Sequence, residues 1–235
     1  EYFDGDLPAS RYSILVYLFE GSSLSGSAGA LEHFSSTTFT YPEVTAEEFI
    51  QPFRDVVAHE FFHIITPLGI HSEEIGSFDF INPVMSKHLW LYEGSTEYYA
   101  VHSQVKHGVI TPDEFFKKLQ QKLYISTLYL NDTLPFTELS KGALDVYKPQ
   151  YFNVYQKGAL INMCLDLFLL KLSEGKYGLQ QLKRELGSKY GPDRSFSDAE
   201  LFDIITEMTY PGVREFFAKY VEGPNKLPYR QFLNY

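Results

Sequence analysis

The chain has 235 residues, of which 44% are hydrophobic and 17% aromatic, enough to bury a sizeable core as one domain or two closely packed lobes, which excludes a disordered or fibrous chain. Twenty basic residues against 30 acidic ones give a formal charge of -10, which argues against nucleic acid as a partner and favours an acidic cleft for cationic ligands. The longest apolar run, in MCLDLFLLKL, is broken by Asp166 and Lys171 and falls far short of the roughly 20 apolar residues of a membrane span.

In chain order, RYSILVYLFE (residues 11–20) and SSTTFTY, separated by the Gly/Ser-rich stretch GSSLSGSAG, predict a β region within the first 42 residues. From Thr45 the character turns helical. Thr45 with Glu48 has the capping-box pattern, Pro52 is suited to open the next helix at its first position, and Pro67 should stop it, so VVAHEFFHII is predicted as helix. A second helix is expected from near Ser86 to about Gly108, weakened at Gly94. Further helices are predicted from Thr111-Pro112 with Glu114, over Asn153 to Leu172, from Ser197 with Glu200, and between Pro211 and Gly223. The fold class expected is α+β: a small sheet, a helical core bearing the site, and a C-terminal helical lobe. The division expected is residues 1–108 and 109–235.

The chemistry concentrates in HEFFH. His59 and His63 are four residues apart, so a helix places both imidazoles on one face, one turn apart, within reach of a single ion. Glu60 stands about 100° round the same helix. Two imidazoles and one carboxylate around zinc leave a fourth position for water, whose proton Glu60 is placed to take. The third ligand must come from elsewhere, since no further His follows in the metzincin pattern. Glu93 in LWLYEGSTEYY is the best candidate, with Glu97 one turn further along. Trp90, Leu91, Tyr98 and Tyr99 make that helix largely apolar, so a carboxylate on it needs a partner. Cys164 is the only cysteine, which excludes an intramolecular disulfide and a cysteine-rich zinc site. The start at Glu1, with no initiator Met or signal-like segment, reads as a processed or excised piece, and the compartment stays open.

With HEFFH, 29 intervening residues and the Glu of LWLYEG, the chain resembles the gluzincin metallopeptidases, and more specifically the glycyl aminopeptidase family. EYFDGDLPASRYSILVYLF, GALEH, VYQKGAL and FFAKYVEGPNKLP extend the similarity nearly end to end. The resemblance implies a thermolysin-like zincin core followed by a helical lobe that closes the cleft, and one zinc per chain. Members usually carry a PDZ domain after the catalytic part, and any such module lies outside this chain. In GALEH, the resemblance implies that Gly29, Ala30 and Glu32 bind substrate, with Glu32 facing the free α-amino group. In VYQKGAL it implies that Tyr155 donates a hydrogen bond to the oxyanion, with Tyr151 the nearest competitor. Glu97 resembles the carboxylate that orients a zinc histidine, an exposed Glu being the alternative. The segment IITPLGIHSEEIGSFDF departs from the basic stretch of many relatives, so glycine selectivity is not carried over. Its His71, Glu73 and Glu74 read as a solvated loop, and His88, His102 and His107 as structural or surface residues.

The function expected is a zinc aminopeptidase acting on peptides with a free amino terminus. The alternatives are a zinc endopeptidase on the same fold, in which Glu32 is structural, and an inactive metal-binding scaffold.

Overall fold

A computed structural model describes residues 2, 9–21 and 28–233. Residues 22–27 of the Gly/Ser-rich stretch, and residues 1 and 3–8 of the N-terminal similarity, lie outside the described residues.

The sheet has three strands among the described residues, β1 (Ser13–Phe19), β2 (Gly29–His33) and β3 (Ser36–Pro42), in the order β1-β3-β2. β1 runs parallel to β3, with Ser13 opposite Ser36, and β2 runs antiparallel to it, with Glu32 opposite Thr37. The two predicted strands are present, but GALEH is a third that the sequence reading placed in no element. It contains no β-branched residue, and the pairing with β3 overrides its weak intrinsic preference. Strand alternation then leaves Gly29, Leu31 and His33 exposed and turns Ala30 and Glu32 to the half-buried face. From β3, Phe39 packs its ring against Phe49 and Phe53, joining the sheet to the first helix.

That helix, α1 (Ala46–Phe62), opens on the predicted capping box: Thr45 Oγ1 accepts from the Glu48 N–H and Glu48 Oε2 accepts from the Thr45 N–H. Pro52 does not open a helix. It lies inside α1, because the capping box has already set the N-terminus about two turns earlier. The helix also ends before Pro67: His63 is its C-cap, and Ile64 and Ile65 continue in turns, since Pro67 has no N–H for the His63 carbonyl, which accepts from the Leu68 N–H instead. The short α2 (Glu73–Gly76) follows. His71 is not part of a solvated loop as expected; it is buried, with Nδ1 donating to the Pro67 carbonyl at 2.9 Å, and the neighbouring Ser72 N–H donates to Tyr92 Oη.

The helix expected from Ser86 starts later, in a π-helical turn (Trp90–Gly94) that runs into α3 (Ser95–Lys106). α4 (Pro112–Leu128) has the predicted capping box of Thr111 and Glu114, and α5 (Phe136–Lys141), which the sequence did not signal, is followed by α6 (Asn153–Leu172), whose bounds are those expected. α7 (Leu179–Lys189) was likewise unsignalled. α8 (Leu201–Met208) begins a turn after Ser197, whose carbonyl instead accepts the Glu200 N–H at 3.1 Å in a preceding turn. α9 (Gly212–Tyr220) falls between Pro211 and Gly223, and α10 (Tyr229–Leu233) is the last described element. The fold is α+β as expected. Buried Trp90, Tyr99, Leu160, Phe202 and Phe217 belong to one core cluster that runs from Phe62 to Phe232, and α6 packs against the π-helical turn, α3 and α4. No helix among the described residues is long and apolar enough to cross a membrane.

Candidate metal centre

The last turn of α1 presents His59 and Glu60, and its C-cap is His63. The 3.6-residue period brings the two imidazoles together as expected, with Nε2 atoms 3.1 Å apart. Each outer nitrogen is committed. His59 Nδ1 donates to Glu97 Oε2 and His63 Nδ1 to the Thr66 carbonyl, both at 2.8 Å. Because a carboxylate and a carbonyl only accept, these bonds place the protons on Nδ1 and leave a lone pair on each Nε2.

The π-helical turn supplies the third group. Glu93 Oε2 lies 3.2 Å from His59 Nε2 and 3.5 Å from His63 Nε2. The donors around a tetrahedral zinc, with bonds of roughly 2.0–2.1 Å, stand about 3.3–3.4 Å from one another, so this triangle has the size that the ion requires. Two lone pairs meeting at 3.1 Å repel unless a positive charge stands between them. The Glu60 carboxylate also comes within 4.8 Å of both imidazoles. Glu93 is the closer of the two acids, and Glu60 Oε2 is buried beside the imidazoles with no hydrogen-bond partner among the described residues. The residues present therefore fit zinc.

The electrostatics agree. Burial works against a charged His59, but hydrogen bonds to Glu93 and Glu97 outweigh it and push its pKa up to about 10, so the two carboxylates make this a place that favours positive charge. Burial would raise Glu93 and Glu97, yet His63 for the first and Lys122 for the second, with His59 beside both, hold them well below the usual carboxylate range. Glu60 is different: burial raises its pKa, and His59 and His63 only partly oppose this.

These groups lie in a cleft of about 730 Å³ that is also lined by Gly29, Ala30, Glu32, Asp55, Tyr151 and Tyr155. β2 delivers Glu32 and Ala30 to it, and the first turn of α6 delivers Tyr155. The Tyr155 ring centroid is 5.7 Å from that of His59, and its hydroxyl is 3.3 Å from that of Tyr151. Burial, then the nearby Glu93 charge, keeps the Tyr155 phenol protonated and hence a donor. All nine residues assigned from the sequence thus meet in one place. His88 is buried with Nε2 donating to the Asp198 carbonyl at 2.9 Å, and His102 is half-buried against Tyr2, both apart from the cleft. The sequence reading missed Asp55, Thr66 and Lys122. Asp55 precedes His59 by four residues and was detectable from that spacing, whereas nothing local marks the other two.

Fold and site together are similar to those of zinc metallopeptidases, and the donors of His59, His63 and Glu93 have the spacing that zinc requires. Residues 52–161, from α1 into α6, match the family model described as M61 glycyl aminopeptidase, the same family that the sequence resembles. An aminopeptidase N family protein from Idiomarina loihiensis superimposes over 99% of this chain with a TM-score of 0.85 at 22% identity. An M1 zinc metallopeptidase mutant from Deinococcus radiodurans, bound to a Tyr-Ser-Ala substrate, matches 97% of the chain with a TM-score of 0.61 at 16% identity. At these identities the likeness is one of fold. The chain spans 42% and 43% of the length of those two structures. None of the curated proteins matches it.

Proposed function

We propose that the chain is the catalytic part of a zinc aminopeptidase that hydrolyses the first peptide bond of a peptide with a free amino terminus. The observation that carries this reading is the triangle of His59, His63 and Glu93 donors, with sides of 3.1, 3.2 and 3.5 Å, beside the unpartnered Glu60 oxygen. One zinc ion held there would supply a positive charge that acidifies water and polarises the scissile carbonyl.

The chain's own residues do the rest. Glu60, raised by burial, accepts the proton of the attacking water and passes it to the leaving amine. Tyr155 donates to the oxygen on which negative charge develops. Glu97 and the Thr66 carbonyl hold the histidine rings in the tautomer that presents Nε2. Glu32, in the same cleft, accepts from the substrate ammonium and sets the cleavage point one residue in, while Gly29 and Ala30 let the peptide backbone approach β2. Residues 109–235 form the lobe that closes the cleft over the core of residues 1–108. The Tyr-Ser-Ala substrate of the Deinococcus radiodurans structure supports a short peptide as the occupant.

The test is hydrolysis by the zinc-loaded protein of one peptide in free and N-acetylated forms. A rate at least tenfold higher on the free peptide is expected. Equal rates would replace this reading with an endopeptidase, and no hydrolysis of either, across a peptide library, with an inactive scaffold.

A further inference from the structure

Two buried lysines outside the cleft stand directly behind the metal site, one for each histidine. On α4, Lys122 is 8% exposed, and its Nζ donates to Glu97 Oε1 while the other oxygen of the same carboxylate takes the His59 Nδ1 proton. On α7, Lys183 is 1% exposed, and its Nζ donates to the Leu91 carbonyl at 2.8 Å and to Thr66 Oγ1 at 3.1 Å. Thr66 is the residue whose carbonyl accepts from His63 Nδ1, and Leu91 lies in the π-helical turn that carries Glu93. Lys183 therefore ties the acceptor behind one ligand to the turn that bears another. No carboxylate is paired with Lys183 among the described residues, and burial alone draws its pKa well down. Enclosing such a group works against folding, so its two hydrogen bonds are the compensation the site offers.

Resting on the metal reading above, we infer that Lys122 and Lys183 are positioning residues of the zinc site, through which α4 and α7 set its affinity for the metal. Lys122 holds Glu97 at the angle that fixes the His59 ring, and Lys183 holds Thr66 and Leu91 at the spacing that fixes His63 and Glu93. Groups in this relation to a ligand commonly change metal affinity about 10- to 100-fold when removed.

The experiment is the zinc dissociation constant, measured by competition with a chromophoric chelator, for the wild type and for Lys122→Met and Lys183→Met. Each substitution should weaken zinc about 10-fold or more. The background decides whether the lysine acts through its partner. Lys122→Met should have no further effect when placed on Glu97→Gln, and Lys183→Met should lose much of its effect on Thr66→Val. If Lys183→Met does not fold, Thr66→Val alone poses the same question, because it deletes the hydroxyl and keeps the carbonyl that receives His63. Wild-type affinity in folded Lys122→Met and in either Lys183→Met or Thr66→Val overturns the inference, as does an equal loss in both backgrounds. A wild-type chain that takes up no stoichiometric zinc would remove the metal reading itself, and this inference with it.

Discussion

Gly94 and Gly158 stand backbone against backbone: a Cβ built on Gly94 would lie 2.7 Å from the Gly158 Cα, and one built on Gly158 would lie 2.8 Å from the Gly94 Cα. Gly94 follows Glu93 directly, and Gly158 is three residues after Tyr155 on α6. The close approach therefore sets the distance between a candidate ligand and the candidate oxyanion donor. Gly158→Ala should push α6 off the π-helical turn. Overpacking of this kind costs about 1–3 kcal/mol, which for a chain of this length lowers Tm by roughly 2–4 °C per kcal/mol. A displacement near 1 Å at Tyr155 should also lower kcat by about 10²-fold. The zinc content of the variant should be unchanged. A thermal melt, metal analysis and kcat together check this; normal kcat would mean that the contact does not position Tyr155.

The two acids nearest the imidazoles should separate cleanly. Glu93→Ala should lose stoichiometric zinc, whereas Glu60→Gln should keep it and lose at least about 10²-fold in kcat, because an amide cannot accept the proton. Stoichiometric zinc in both variants would remove Glu93 from the site. The pH dependence follows from burial of Glu60, which raises its pKa and so favours the protonated form. The base is present above that pKa and is lost as the pH falls through it. The acid limb of kcat/KM should therefore belong to Glu60, lying higher in pH the more burial outweighs the charge of a bound zinc, and the residual rate of Glu60→Gln should lack that limb.

Tyr155→Phe should lower kcat by roughly 10²-fold with much less change in KM, since a donor aimed at developing charge acts in the transition state and is typically worth ~3 kcal/mol. Tyr151, whose hydroxyl is 3.3 Å from that of Tyr155, gives the control. Tyr151→Phe should cost far less. The reverse pattern in steady-state kinetics would move the oxyanion role to Tyr151.

Glu32→Ala bears on aminopeptidase action itself. A charge-assisted bond to the substrate ammonium is worth ~1.5–3 kcal/mol, so the variant should lose roughly 10- to 150-fold in kcat/KM on free peptides. The much lower rate on N-acetylated peptides should hardly change. The ratio of the two rates is the informative quantity, because loss of metal or of folding depresses both. An unchanged ratio would leave Glu32 a structural residue of β2.

The parts of this protein that were legible in its sequence are those set within one or two turns of chain. The His59–His63 pair follows from helical periodicity alone, because residues four apart share a face whatever surrounds them. The capping boxes of Thr45 and Thr111, and the bounds of α6, are likewise local hydrogen-bonding and capping matters. Where local signals compete, the reading failed: Pro52 looked like a helix start and lies within α1, and GALEH lacked strand formers yet pairs with β3. Only the tertiary structure could say which of Glu60 and Glu93 stands closer to the imidazoles, that β2 turns Glu32 into the cleft, that Gly94 and Gly158 touch, and that Lys122 and Lys183 reach the groups behind the two histidines. Those relationships join residues from 25 to 117 positions apart. They depend on how helices and strands pack, and packing distances between distant segments leave no periodic trace in either segment.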